Sequence, residues 1–289
     1  MPRVHLVDAT YELFRAWFAV PSSRLSDGTE VGATRGVLST LLKLVQTDGA
    51  THVACATDHV VRSFRNDLYA GYKTDAGVSQ DLLKQFPLVE EAIRALGMVV
   101  WPMVEFEADD ALAAGAARYA DVAEQVIIAT PDKDLAQCVR GDHVVMLDRR
   151  RNIVMNDEGV RAKFGVRPAS IPDWLALVGD AADGYPGLPG WGEKGAARVL
   201  DVFGTIEAIP ERAKDWPANL VRGADRLADT LATRKAEALL YKQLATLRTD
   251  VPLTETLDDL EYRGAPHVLR DFCEKIRYSE FTNRVSRWQ

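Results

Sequence analysis

The residues of this sequence best suited to chemistry are carboxylates that follow short apolar runs. Asp8, Asp58, Asp132 and Asp134 each come directly after a run with the composition of a buried strand. A single aspartate in such a place is most often a helix cap or a turn former. Three strands that end in this way favour a shared site, because ligands of parallel α/β sheets collect beyond the carboxyl ends of the strands.

Two further acidic groups have carboxylates three residues apart, a spacing that places both on one helix face. Glu107 and Asp110 share such a face, with Asp109 expected to point aside, and Asp180 and Asp183 follow an apolar helical pattern. The helix dipole and polar helix ends explain one carboxylate better than three. Because clustered carboxylates raise one another's pKa values, we expect divalent cations among them. The nine candidate metal ligands are Asp8, Asp58, Glu107, Asp109, Asp110, Asp132, Asp134, Asp180 and Asp183.

The absence of nitrogen and sulfur ligands from this set indicates the kind of metal. The five histidines have no metal-binding spacing, and Cys55, Cys138 and Cys273 include no Cys-x-x-Cys pair. Mg²⁺ and Mn²⁺ prefer carboxylates and water and usually also contact phosphate. Two such ions, about 4 Å apart, can activate a water and stabilise a leaving oxygen. The predicted chemistry is phosphodiester hydrolysis.

A loop rich in glycine and proline is a second candidate site. It contains Gly187, Gly190 and Gly192, and Lys194 follows at the start of a helical pattern. Free backbone N–H groups at a helix start can hold a phosphate. Tight connections between helices use the same residues, so that alternative stays open, although Lys194 favours phosphate.

The elements that must position these residues follow from the apolar pattern. Continuous apolar runs at 4–7, 52–56, 98–101, 126–129 and 144–147 predict buried parallel strands, with helices over 33–45, 82–96 and 108–119 between them. A small hairpin is expected at 149–156. Beyond about Lys163 we predict helices at 171–178, 193–203, 224–247 and 267–277, and a loose tail over 283–289. The fold class is α/β, with domains at 1–165 and 166–289.

The composition sets limits on the function. Of 289 residues, 47% are hydrophobic and 27% charged, which excludes disordered and fibrous classes. The net charge of −7 argues against nucleic-acid binding by bulk attraction. Without the nine candidate ligands, however, 33 acidic residues face 35 basic ones, a balance of +2. No membrane-spanning run or signal-peptide pattern occurs, so we expect a cytoplasmic protein.

Taken in order, the carboxylates and the glycine loop resemble the motifs of the 5' nuclease (flap endonuclease) family. The likeness covers about residues 4–250 and is greatest to the 5'-3' exonuclease region of bacterial DNA polymerase I and its stand-alone relatives. The resemblance implies a PIN-like domain with a central, mostly parallel sheet, and then a helix-three-turn-helix module that holds duplex DNA. It also implies metal-binding roles for all nine carboxylates, the use of two Mg²⁺ or Mn²⁺ ions, and K⁺ bound by the glycine loop.

The resemblance also implies roles for the segment that follows the second strand. Arg65 and Lys73 correspond to basic residues near the scissile phosphate, where a lysine acts as a point charge, and Tyr72 to an aromatic residue that positions a base. The segment after Lys73 departs from the family, since it is short and has no arginine. Gly184 also stands where asparagine is usual, and Pro131 where glycine is usual.

The function expected from the resemblance is stand-alone, metal-dependent 5'-3' exonuclease or 5' flap endonuclease activity in repair or replication. The expected partner is DNA with 5' flaps, nicks or gaps, bound by a monomer in the bacterial cytoplasm or nucleoid. One alternative is a structure-specific DNA-binding protein with weak or no nuclease activity, and another is a PIN-type ribonuclease. A third, a small-molecule phosphatase, uses Asp132 and Asp134 but leaves the helical region without a role.

Overall fold

The computed structural model describes residues 2–289, and each predicted buried run forms a strand in it. The strands differ from the apolar runs by at most two residues at either end. In chain order the strands are β1 (Arg3–Asp8), β2 (His52–Asp58), β3 (Val99–Met103), β4 (Gln125–Ala129), β5 (Val144–Asp148) and β6 (Ile153–Met155).

The helices confirm most of the predicted pattern, although α1, α3 and α7 were not predicted. In chain order they are α1 (Ala9–Ala19), α2 (Gly32–Gln46), α3 (Arg65–Leu68), α4 (Gln80–Leu83), α5 (Gln85–Ala95), α6 (Ala108–Tyr119), α7 (Asp157–Phe164), α8 (Ile171–Val178), α9 (Glu193–Phe203), α10 (Ala224–Thr233), α11 (Lys235–Ala245) and α12 (Val268–Lys275).

Two predicted helices are interrupted. The pattern over 82–96 forms α4 and α5, and this break leaves Pro87 in the first turn of α5, where its missing N–H costs no helical hydrogen bond. The pattern over 224–247 divides into α10 and α11 at Arg234. The Thr233 hydroxyl there donates to the carbonyls of Asp229 and Thr230, which is the local bonding that competes with helix continuation.

The chain folds into two units made of separate segments. The first contains the chain up to Val61, Asp75–Thr130 and Arg248–Gln289, and the second contains Arg62–Thr74 and Pro131–Leu247. The predicted domain boundary at residues 165 and 166 differs from this division, which groups residues by contact rather than by sequence order.

The sheet of the first unit places candidate ligands at its edge. Its strands are parallel, in the order β3-β2-β1-β4, with Val7 opposite both Cys55 and Ala129. Strand side chains such as Leu6 and Ala54 are fully buried, as expected for strands covered on both faces. Since all the strands point the same way, β1 and β2 end at one edge, with Asp8 and Asp58 as their last residues.

The predicted loose tail is wrong. Within the first unit, Val285 is 7% exposed and Trp288 packs against the hydrophobic core. The Arg270 guanidinium lies 4.6 Å from the centre of the Trp288 ring, and the Gln289 amide donates to the Ala265 carbonyl at 3.0 Å. Apolar contact with distant parts of the chain therefore orders residues that have no strong local pattern.

The second unit combines a hairpin with helices. Strands β5 and β6 pair antiparallel, which confirms the predicted hairpin, and Asn152 takes the left-handed conformation in its turn. Helix α8 lies at the centre, where it packs against α9 and α11. Within residues 2–289 no helix has both the length and the apolar character needed to cross a membrane.

Candidate metal-binding site

Asp8 links the end of the first strand to the helix that follows. Its Oδ1 accepts from the Tyr11 amide at 2.8 Å, which caps α1, and its Oδ2 accepts from the Thr130 hydroxyl at 2.9 Å. The side chain is 6% exposed. The capping role and a role at the sheet edge are therefore both consistent with its position.

Asp58 has a similar position at the end of β2. Its Oδ1 accepts from the Ala108 amide at 2.8 Å, at the start of α6, and its own amide donates to the Thr10 hydroxyl at 2.8 Å. The residue is half-buried. These bonds hold Asp58 between the first turns of α1 and α6, close to both other acidic segments of the first unit.

The acidic segment at the start of α6 forms a capping box, in which Glu107 is the N-cap residue. Asp110 is fully buried, and its two oxygens accept from the Glu107 amide at 3.0 Å and the Arg248 amide at 2.9 Å. Asp109 is half-buried. Asp110 anchors the backbone with both oxygens, each of which keeps a second lone pair, so the expectation that it joins Glu107 at an ion while Asp109 points aside stays a prediction.

Three aspartates of the second unit come together. Asp134, Asp180 and Asp183 each offer a carboxylate oxygen, and these oxygens all lie within 4.8 Å of one another. The fourth candidate of this unit, Asp132, is exposed and accepts from the Asp134 amide at 3.0 Å, which caps the short 3-10 helix Lys133–Cys138. We call Asp134, Asp180 and Asp183 the aspartate cluster.

Two lysines pair with the aspartate cluster. Lys133 Nζ contacts the Asp180 carboxylate, and Lys73 Nζ lies 3.0 Å from Asp183 Oδ1. Burial alone would lower the pKa of Lys133, but its contacts with Asp180 and Asp134 outweigh burial and raise that pKa. The Lys133 ammonium therefore stays charged and neutralises part of the cluster. Lys73 thus lies beside a candidate metal ligand, and its expected role near the scissile phosphate stays a prediction.

Asp134 provides a test of whether a cation fits this cluster. Its side chain is buried, and burial together with the charges of Asp132 and Asp183 raises its pKa well above the usual range. Among residues 2–289, no hydrogen-bond partner for its Oδ1 is found. A buried carboxylate oxygen that accepts no hydrogen bond, lies 4.0 Å from Lys133 Nζ and stands beside two further carboxylates fits a divalent cation with oxygen ligands.

The structure corrects the expected role of Arg65. The side chain is 1% exposed, and its Nε and Nη2 donate to the carbonyls of Leu244 and Thr246 at 2.7 and 3.3 Å. These carbonyls lie at the C-terminal end of α11, where the last carbonyl groups have no hydrogen-bond donor within the helix and a positive charge is favourable. Arg65 therefore holds the chain around this helix end and is not exposed to a phosphate.

Tyr72 also differs from the expectation. The side chain is 3% exposed, and Lys73 Nζ lies 5.4 Å from the centre of its ring. A buried ring cannot stack on a nucleotide base in this arrangement, so Tyr72 supports the backbone beside Lys73 instead. The neighbouring pattern of aromatic and basic residues gave no signal for burial, since it occurs equally on surfaces.

The glycine loop has one buried and several exposed members. Gly187 is buried with φ +69°, and a Cβ there would lie 2.4 Å from the Gly179 nitrogen, so its lack of a side chain allows two backbone segments to pack. Gly190, Gly192 and Lys194 are exposed around the start of α9. These three remain candidates for a phosphate contact.

Tyr185 is a site residue that the sequence did not reveal. It is fully buried two residues after Asp183, and its ring stacks on Tyr241 with centroids 5.4 Å apart. Burial, together with the charges of Asp134 and Asp183, raises the pKa of Tyr185, so the hydroxyl stays neutral. The only signal available was its closeness in sequence to Asp183.

Two family models and a DNA polymerase I match this chain over most of its length. A family model described as 5'-3' exonuclease, N-terminal resolvase-like domain, matches residues 3–165, and one described as 5'-3' exonuclease, C-terminal SAM fold, matches residues 166–267. DNA polymerase I of Pseudomonas aeruginosa is 37% identical over 263 residues, which are 90% of this chain but 29% of that protein. The chain thus spans less than a third of this polymerase.

A shorter relative and a solved structure match over most of their length. The 5'-3' exonuclease of Buchnera aphidicola is 32% identical over 252 residues, 87% of this chain and 83% of that protein. The bacteriophage T5 flap endonuclease, in a complex with DNA and metal ions, has a TM-score of 0.68 at 19% identity and covers 96% of this chain and 99% of that one. The predicted α/β fold followed by a helical region is confirmed.

Proposed function

This chain belongs to the 5'-3' exonuclease family, as its ordered motifs suggested, and we propose that it is a divalent-metal-dependent 5' nuclease. Its reaction is hydrolysis of a phosphodiester bond where a single-stranded 5' end joins duplex DNA. The observation that carries this proposal is the aspartate cluster, in which a buried oxygen of Asp134 lacks a hydrogen-bond partner among the described residues. Further support comes from the T5 flap endonuclease, whose complex contains DNA and metal ions.

The residues of the second unit have distinct roles in this proposal. Asp134, Asp180 and Asp183 hold Mg²⁺ or Mn²⁺, which supplies charge neutralisation and an activated water when bound. Lys73 stabilises the charge that develops on the phosphate, as a point charge 3.0 Å from Asp183. Lys133 keeps Asp180 in place through their ion pair.

The remaining candidate ligands extend the proposal to a second ion. Support comes from the positions of these residues at the carboxyl ends of β1 and β2 and at the start of α6. Asp110 has the weakest case, because both of its oxygens already accept backbone amides. The set consists of Asp8, Asp58, Glu107, Asp109, Asp110 and, in the second unit, Asp132.

The helical region is proposed to hold the DNA duplex. Exposed Gly190, Gly192 and Lys194 present the start of α9 to a phosphate, and loop carbonyls bind K⁺. A division into domains at residues 165 and 166 has support from the two family models, which meet there. We place the protein, as a monomer, with DNA carrying 5' flaps, nicks or gaps in the bacterial cytoplasm or nucleoid, in repair or replication.

The test is cleavage of 5'-labelled substrates by the purified chain. With Mn²⁺ or Mg²⁺ we expect products from a 5' flap, a nick or a gap, and loss of activity on the order of 100-fold or more in Asp134→Asn, because the variant lacks a metal ligand. Asp271→Asn, an exposed aspartate of α12, is the matched control and should keep full activity.

Three outcomes would contradict the proposal. Binding of the flap without cleavage in either metal would indicate a DNA-binding protein without nuclease activity. Cleavage of an RNA flap in preference to the DNA flap would indicate a ribonuclease. Equal cleavage by Asp134→Asn and the parent chain would separate the activity from the aspartate cluster.

A further inference from the structure

Tyr185 is held rigidly beside the aspartate cluster. Its backbone forms an antiparallel bridge with Asp180, with amide-to-carbonyl distances of 2.8 and 3.0 Å in the two directions. Its ring stacks on Tyr241 at an interplanar angle of 24°, and Tyr241 in turn meets Tyr69 edge to face at 5.8 Å. The side chain is fully buried, so the position of its hydroxyl is set by packing on every side.

The hydroxyl itself has no assigned role in this packing. Within the part of the chain that the structure describes, Tyr185 Oη has no hydrogen-bond partner. A buried hydroxyl without a partner destabilises the fold, whereas a phenylalanine could fill the same space without that cost. Such groups in native structures usually have a partner that the protein alone does not supply, such as a water or an ion.

The surroundings of the hydroxyl indicate what this partner is. The carboxylates of Asp134, Asp183 and Asp180 all act on it electrostatically, with the Arg65 guanidinium as the cationic neighbour. Asp134 Oδ1 is a second buried atom of this region without a hydrogen-bond partner among residues 2–289, and Lys133 Nζ lies 4.0 Å from it as an ionic contact. These two atoms fit a hydrated cation. Its positive charge would neutralise the carboxylates, and its water ligands would donate hydrogen bonds to the hydroxyl oxygen.

We propose that Tyr185 is a positioning residue of the metal site, whose hydroxyl hydrogen-bonds a water of the cation held by Asp134, Asp180 and Asp183. The inference rests on the proposed function, since it requires the aspartate cluster to bind Mg²⁺ or Mn²⁺. These cations keep several water ligands, and a neutral phenol accepts from a water better than it replaces one. Groups that hold the ligands of a metal from outside commonly change its affinity 10- to 100-fold.

The test compares two tyrosines that differ in their neighbours. Tyr185→Phe removes the hydroxyl at the cluster. Tyr262→Phe is the matched control, because Tyr262 is 6% exposed, has an unpartnered hydroxyl among the described residues, and has the Arg287 cation as its electrostatic neighbour, with no carboxylate. Neither change should lower the thermal midpoint of the metal-free chain, since each removes a buried polar group without a partner.

Isothermal titration with Mn²⁺ is the first measurement. We expect the affinity of Tyr185→Phe to fall about tenfold and that of Tyr262→Phe to stay at the parent value. Electron-nuclear double resonance of bound Mn²⁺, in water and in deuterium oxide, should then show altered exchangeable protons in Tyr185→Phe. A purely structural role of the ring would leave both readouts unchanged, because phenylalanine keeps the stacking on Tyr241.

The outcomes separate this inference from the function on which it rests. Equal Mn²⁺ affinity and equal proton signals in Tyr185→Phe and the parent chain would overturn the inference alone. A parent chain that binds no Mn²⁺ would overturn the metal-dependent function and the inference together. An equal loss of affinity in both tyrosine variants would also overturn it, because the effect would not depend on the neighbouring carboxylates.

Discussion

At the scale of single residues, burial separates charged groups that look alike in the sequence. Lys73 and Arg65 are both basic residues of one short segment, yet Lys73 reaches Asp183 whereas the Arg65 guanidinium binds backbone carbonyls. A guanidinium has several donors in a fixed plane, which suits the carbonyls of a helix end. An ammonium is a compact charge, which suits a carboxylate or a phosphate.

The structural role of Arg65 leads to a prediction for Arg65→Met. The variant should lose about 2–3 kcal/mol in the free energy of unfolding, because charge-assisted hydrogen bonds to Leu244 and Thr246 disappear and the carbonyls stay buried. Urea denaturation at pH 7 measures the loss. Unchanged stability combined with a large fall in kcat would instead support the catalytic role that the resemblance implied.

At the scale of elements, several helices begin where an acidic side chain accepts backbone amides. Asp8 does so at α1, and Glu107 and Asp110 do so at α6. Glu30 is a further example before α2, where it accepts from the Ser22 hydroxyl and from the amides of Ser23 and Gly32, both at 2.8 Å. The conformation of the loop before each of these helices therefore depends on the ionised state of an acidic side chain.

Glu30 therefore predicts a pH-dependent contribution to stability. Burial alone would raise its pKa, but the hydrogen bonds from Ser22, Ser23 and Gly32 outweigh burial and lower it. A carboxyl whose folded pKa lies below its unfolded value stabilises the fold above the unfolded pKa and loses this effect as the pH falls through the folded pKa. Glu30→Gln should cost about 1 kcal/mol at pH 7 and close to nothing at about pH 3.

Urea denaturation of Glu30→Gln and the parent chain at both pH values checks this expectation. The exposed Glu124→Gln serves as the control for removal of a negative charge and should differ little from the parent. If Glu30→Gln lowered the free energy of unfolding equally at pH 7 and pH 3, the loss would come from the shape of the side chain and not from its charge.

At the scale of the whole molecule, each unit is assembled from distant parts of the chain. Arg62–Thr74 belongs with Pro131–Leu247, and the C-terminal Arg248–Gln289 belongs with the N-terminal segments. Contacts of Val285, Trp288 and Gln289 secure the last segment to the first unit. The end of the chain is consequently part of the core that supports the sheet.

Deletion of residues 285–289 tests this role. Exposure of the surface under Val285 and Trp288 should lower the free energy of unfolding by about 3 kcal/mol, from the apolar area returned to water. Scanning calorimetry gives the shift, and Trp288→Phe, which keeps an aromatic ring, should cause a smaller one. An unchanged midpoint after the deletion would indicate a loose tail.

The sequence by itself determined the features that depend on neighbouring residues. Continuous apolar runs gave the buried strands, helical periodicity gave α6, α8 and α9, and strand ends placed Asp8 and Asp58 at the edge of a parallel sheet. The side-chain periodicities of strands and helices are local properties, so the spacing of residue types carries them. The order of the carboxylate motifs was enough to identify the family.

Only the tertiary structure decided which residues share a site and which are buried. Asp134 meets Asp180 and Asp183 across nearly fifty residues, and Arg65 and Tyr72 lie buried in a unit that joins residues 62–74 to 131–247. The unpartnered hydroxyl of Tyr185 became visible in the same way. Burial and electrostatic environment depend on what distant segments bring into contact, and the spacing of residues along the chain does not record that.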